Sequence, residues 1–113
     1  VIELKLGDAH GLAAIMQGRN PPDAIVCAND RTATFVIQTL AAIGLKVPKD
    51  VRVSGFDDQV YARRSRIPLT TVRQPCEELG RVALRTLVER ILHHDLPPRE
   101  ILLSSNIVRR KSV

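Results

Sequence analysis

Aromatic residues are almost missing from this chain: Phe35, Phe56 and Tyr61 are the whole set, and there is no tryptophan. Recognition by ring stacking therefore has few residues to work with. No apolar run approaches the roughly 18 residues that a membrane-spanning helix needs. No basic-then-apolar leader opens the chain either, so nothing points to a membrane. Cysteines are few. Cys27 lies inside an apolar run and Cys76 at a helix start; they match no metal-ligand spacing, and a reduced, cytoplasmic setting suits them. Cys27 has no neighbouring base and reads as core. A glycine-rich phosphate loop and a D-x-D-x-T run are both lacking. His93 and His94 are adjacent instead of i, i+4, the spacing a metal pair needs on a helix, so they read as a solvated helix end. Together these absences argue against an enzyme, a metal site or a cofactor.

What is present is a globular composition of 44% hydrophobic and 26% charged residues over 113 residues. That is enough for one modest domain or a piece of one. The abrupt strand-like opening VIELKL is expected to mark a fragment whose beginning is missing. The net charge of +5 allows nucleic-acid binding. Its basic residues are scattered, however, apart from Arg63-Arg64-Ser65-Arg66 and Arg109-Arg110-Lys111. No helix-turn-helix, zinc-finger or RNA-recognition pattern accompanies them, so both clusters read as solvated charge.

The chain is organised around Val51–Asp58, VRVSGFDD. Val51 and Val53 alternate with polar residues as in a strand, and Gly55 suits a close backbone approach. Asp57-Asp58 falls just beyond the strand end. Upstream, Val1–Leu6 reads as an edge strand, and Asp8 caps a helix to about Gln17. Ala24–Ala28 has the continuous apolar pattern of a strand buried on both faces. Asn29-Asp30 then caps a helix bearing Ala33, Val36, Ile37, Leu40 and Ala41, which Gly44 ends. Downstream, Gln59–Arg66 suits a short helix, Leu69–Val72 a strand, Pro75 to about His94 a long helix, and Ile101–Val108 a final strand. Strands alternating with helices at this spacing predict an α/β fold with a parallel sheet flanked by helices.

Asn29 and Asp57 occupy equivalent places after two successive strands. In a parallel sheet both would face the crevice outside the carboxyl ends of the strands, where ligands bind. A carboxylate accepts hydrogen bonds and an amide both donates and accepts, which suits a neutral polyhydroxylated ligand such as a sugar. A Mg²⁺ site for phosphoryl chemistry would need further clustered carboxylates and a basic partner. The competing view of Asp57-Asp58 is a solvated turn or helix cap.

Four segments carry a resemblance: Asp23–Asp30 (DAIVCAND), Gly44–Val51 (GLKVPKDV), Gly55–Asp58 (GFDD) and Pro68–Pro75 (PLTTVRQP). In this order and spacing, with the ending Ile107–Ser112, the chain resembles the lactose/purine-repressor (LacI-type) family of bacterial transcription regulators. The resemblance implies an incomplete periplasmic-binding-protein-like (type I) lobe. Residues 1–74 would form the C-terminal lobe of an effector-binding domain without its first strand. Residues 75–113 would form a crossover helix and closing strand shared with a missing N-terminal lobe.

By the same resemblance Asn29 and Asp57 contact the effector, a sugar or other small metabolite, and Gln74 lies near the cleft. The helix Thr32–Ile43 and the segment after the acid pair would form a homodimer interface, with Phe35, Thr39, Ala42 and Tyr61 as the candidate contacts. DNA would be reached only through a missing N-terminal helix-turn-helix. At Asp8-Ala9-His10 the chain departs from relatives that carry an aromatic residue after Gly-Asp. A sugar-binding protein of a transport system shares the fold and is the alternative. The isolated 113 residues are expected to self-associate instead of forming an effector-competent monomer.

Overall fold

The computed structural model describes residues 7–113. The expected strand Val1–Leu6 lies outside the described residues. Along the rest run α1 (Ala9–Met16), β1 (Ala24–Val26), α2 (Asp30–Ala42), β2 (Arg52–Phe56), α3 (Val60–Arg64), β3 (Thr70–Arg73), α4 (Cys76–Leu92) and β4 (Asn106–Val108). Asp8 caps α1 by accepting the Gly11 N–H at 2.8 Å, and Asn29 caps α2 by accepting the Thr32 N–H at 2.8 Å. Gly44 follows α2 with a φ of 84°, a conformation in which a side chain would be strained.

The strands form one four-stranded sheet in the order β1-β2-β3-β4. β1, β2 and β3 are parallel, as the alternation of strands and helices predicts, while β4 runs antiparallel to β3, with Thr71 opposite Val108. The sheet is therefore mixed. The final strand is shorter than the expected Ile101–Val108, because the ladder to β3 reaches only from Asn106 to Val108 and Leu102 before it is 85% exposed. β1 also departs from expectation. Among the described residues it pairs on one side only, and Val26 is 85% exposed where burial on both faces was expected.

The core lies between the sheet and the helices before it. Ala33, Val36 and Leu40 of α2 meet Val51, Val53 and Leu69, with Leu12 and Met16 of α1, Cys27 and Ala62 of α3 completing the cluster. Burial pushes the Cys27 thiol up to about 11, so it stays protonated and inert. Residues 111–112 enter the sheet between the starts of β2 and β3. Ser112 is fully buried; its hydroxyl donates to the Val53 carbonyl at 2.6 Å and accepts the Thr70 N–H at 2.8 Å. It thereby satisfies backbone groups where β2 and β3 splay apart.

Gly55 is where β2 passes closest to α2. A Cβ there would run into the Asp30 carboxylate and come within 2.8 Å of Leu69 Cδ2. Gly55→Ala is expected to destabilise the fold by about 1–3 kcal/mol through overpacking. Urea denaturation of the protein and the variant, read by circular dichroism, checks this.

Candidate functional site

The sheet's carboxyl ends bring together three loops: after β1, after β2 and after β3. Val26 pairs with Ser54, so Asn29 and Asp57 each lie three residues beyond a paired position. On the other side Phe56 pairs with Val72, and the Asp57 N–H donates to the Val72 carbonyl at 2.9 Å. This carries Gln74 to Asp57: the Gln74 Nε2 donates to Asp57 Oδ1 at 2.6 Å. Asp57 and Gln74 are thus in direct contact, and Asn29 flanks them at the next loop.

Their free atoms define what the crevice can bind. Asn29 uses its Oδ1 on the Thr32 amide and on the Thr32 hydroxyl at 3.0 Å. Among the described residues its amide nitrogen, the second Asp57 oxygen and the Gln74 carbonyl oxygen have no side-chain partner. One donor and two acceptors on half-buried side chains suit hydroxyl groups, which both give and take hydrogen bonds.

The backbone here is held in an uncommon form. Asp57 and Asp58 have φ values of 105° and 55°, in the left-handed region that aspartate enters at a cost of order 1–3 kcal/mol. Asp58 turns away from the crevice and inward; its side chain is 1% exposed. Arg63 Nη2 meets it at 2.8 Å, Arg73 Nε at 2.6 Å, and the Arg110 guanidinium closes the set. Arg63 and Arg110 were expected to be solvated charge. The correction is physical: a buried carboxylate needs partners, and one arginine from each basic cluster supplies them. Burial pushes the Asp58 carboxyl up, but hydrogen bonds from Arg110, Arg73 and Arg63 outweigh it and hold it at about 2.

A second buried acid works beside it. Asp30 is fully buried and accepts the Thr71 hydroxyl at 2.5 Å and the Gln59 N–H at 2.7 Å. It therefore joins the start of α2 to β3 and to the turn after β2. Sequence reasoning took Asp30 as a cap neighbour and Asp58 as part of an acid pair. Nothing in the one-dimensional pattern distinguishes their inward roles from that of Asp57.

On the far side of α2 an open groove of about 1010 Å³ runs between this helix, the loop after it and α3. Thr34, Ile37, Gln38 and Ala41 line it from α2, and Tyr61 and Arg64 from α3. Of the residues expected at a dimer interface, Tyr61 lines the groove. Thr39 is buried inside the chain at 8% exposure, Phe35 packs against the core, and Ala42 is exposed beside the groove without lining it. Positions 34, 37, 38 and 41 of α2 face the groove, while Asp30 and Thr39 turn inward with the apolar set.

With this geometry in view, comparisons with known proteins give a consistent answer. The family model described as periplasmic binding protein-like domain matches residues 3–113. The ribose operon repressor of Haemophilus influenzae is 33% identical over 95% of this chain and 32% of its own length. A transcriptional regulator CelR–cellobiose complex superposes with a TM-score of 0.76 and 36% identity, over 80% of this chain and 28% of that one. A LacI family transcriptional regulator from Lactobacillus casei with bound sucrose gives a TM-score of 0.75 and 33% identity, over 93% of this chain and 38% of that one. The chain spans about a third or less of the curated relatives it matches.

The depressed Asp58 carboxyl has a consequence for acid stability. In the unfolded chain an aspartate titrates near ~3.9, so as pH falls the unfolded state takes up the proton first. The contribution of Asp58 is complete above about pH 4 and is lost as pH falls through about 2. Asp58→Asn should therefore be less stable than the parent at neutral pH, with the gap between their urea midpoints narrowing below about pH 4. Titration of both proteins from about pH 6 down to about pH 2 checks this.

Proposed function

The chain belongs to the periplasmic-binding-protein-like domain family, among the LacI-type regulators, and on that premise we propose that it is the effector-sensing part of a bacterial transcriptional repressor. The observation that carries this reading is the Asp57–Gln74 contact beside Asn29 at the carboxyl ends of the parallel strands. The effector is a sugar or a similarly hydroxylated metabolite, bound by Asn29, Asp57 and Gln74. Relatives whose names or contents include ribose, cellobiose and sucrose support that chemistry. No covalent step is involved. An effector with different affinities for two states of the whole protein shifts its affinity for DNA by linkage.

Two surfaces complete the proposal. The groove between α2 and α3 meets a second copy of the chain, forming a dimer around Ile37, Ala41 and Tyr61. α4 exposes Leu84, Leu87, Val88, Ile91 and Leu92, and among the described residues none of α4 is buried. That stripe packs on a second lobe of the full-length protein. DNA contact belongs to a further domain of that protein.

Asp57→Ala in the full-length protein should weaken effector binding by roughly 10- to 150-fold, the equivalent of one charged hydrogen bond worth about 1.5–3 kcal/mol. The fold should persist, since Asp57 contributes nothing to the core. Calorimetry with D-ribose, cellobiose and sucrose, followed by a DNA-binding assay with the sugar that binds, checks it. An unchanged dissociation constant would remove Asp57 from the site. A second variant addresses the groove: Ala41→Glu places a charge in an apolar contact without touching the core. It should convert dimers to monomers at micromolar concentration in sedimentation velocity.

A further inference from the structure

The turn that carries Asp57 is two residues long and strained, and it does not stand on its own. Its entry is fixed by the Asp57 N–H on the Val72 carbonyl at 2.9 Å. Its exit is fixed by the Gln59 N–H on Asp30 at 2.7 Å. Between these points the only side chain in the turn that faces the protein interior is Asp58, and Arg63 grips it with Nε at 3.4 Å and Nη2 at 2.8 Å.

Arg63 belongs to α3, a helix of 5 residues whose N-cap, Gln59, makes no side-chain capping bond. α3 is therefore held in place by Ala62 in the core, by the Leu69 N–H on the Ala62 carbonyl at 2.8 Å, by the Gln59 amide on Asp30 and by Arg63 on Asp58. Two of these four anchors belong to the acid-bearing turn and its buried partner. The other side of the same short helix presents Tyr61 and Arg64 to the groove. The crevice and the groove thus meet in one small element.

We propose that Asp58 is a positioning residue that ties the Asp57 turn to α3 through Arg63, so that the ligand crevice and the α2–α3 groove open and close as one unit. This rests on the reading that Asn29, Asp57 and Gln74 bind the effector. Occupancy of the crevice steadies the Asp57 turn, the turn steadies α3, and α3 sets the groove face. By reciprocity, a second copy seated in the groove raises affinity in the crevice by the same factor.

Amide hydrogen exchange on the full-length protein, read by mass spectrometry without ligand, tests the link directly. Arg63 is half-exposed and reaches the turn only through Asp58, so Arg63→Gln should leave the fold intact. In that variant exchange should rise about fivefold or more both in residues 57–59 and in residues 60–65, the change expected for about 1 kcal/mol of local opening. Arg63→Lys, which retains the charge, should restore most of the protection. Ala41→Glu, which empties the groove, should also raise exchange in residues 57–59. A rise confined to residues 60–65, no rise at all, or a uniform rise that includes β2 would overturn the proposal. The sugar-binding measurements are independent of this outcome: absent binding would remove the effector assignment and leave the exchange result standing.

Discussion

The buried carboxylate of Asp58 is the constraint that orders the rest of the structure. A charge at 1% exposure cannot stay ionised without partners, and the partners come from three separate segments: Arg63 on α3, Arg73 at the end of β3, and Arg110 after β4. Arg110 also donates to the Leu69 carbonyl at 2.7 Å, which draws the chain end against the start of β3. From there Ser112 reaches between β2 and β3. One side chain thus fixes the positions of a helix, a strand and the C-terminal segment. Removing it would leave three guanidiniums crowded together, a larger loss than a surface ion pair entails.

The same constraint explains the backbone beside it. Asp57 and Asp58 sit in a region of φ that side chains avoid, and such strain persists only where the surroundings over-determine it. Here the surroundings are Asp30 on one side and the arginines on the other, both drawing the chain inward. The effect is to leave Asp57 facing out, with one oxygen bound to Gln74 and the other uncommitted. Two adjacent aspartates therefore divide their work. The second is spent on structure, while the first keeps one carboxylate oxygen without a side-chain partner among the described residues.

Much of this could be read from the sequence. Periodicity placed the described helices and the first three strands to within a few residues, since long apolar stripes such as Val36-Ile37-Leu40 and alternation such as Val51-Val53 are local signals; the final strand begins at Asn106 instead of Ile101. The positions of Asn29 and Asp57 beyond the ends of β1 and β2 were legible because each follows a strand. The inward charges were not. Arg63 and Arg110 look like any other member of a basic run, and Asp58 lies 52 positions from Arg110 along the chain. Pairing at that distance leaves no periodic trace. Thr39 was expected to face outward and is buried instead, because a polar side chain carries no local sign of turning inward.

α4 poses the opposite problem, a helix whose stability within the described residues is local. Glu77 and Glu78 occupy its first turn, where the helix dipole favours them, and both pair with Arg81, Glu77 at 2.8 Å. Near its end Arg99 reaches back to Glu89 and pulls that carboxyl below its usual range by hydrogen bonding. The two Arg81 pairs, three and four residues apart, contribute about 0.2–0.5 kcal/mol each on an exposed helix. An isolated helix of 17 residues is marginal on those terms. Leu84, Leu87, Val88, Ile91 and Leu92 contribute nothing while they face water, although each would supply about 1.5–3 kcal/mol if fully buried. In α2 the corresponding stripe is already buried against β2, and its polar cap is spent in the same place. α4 has the stripe without the surface, so among the described residues its apolar face adds nothing to the core.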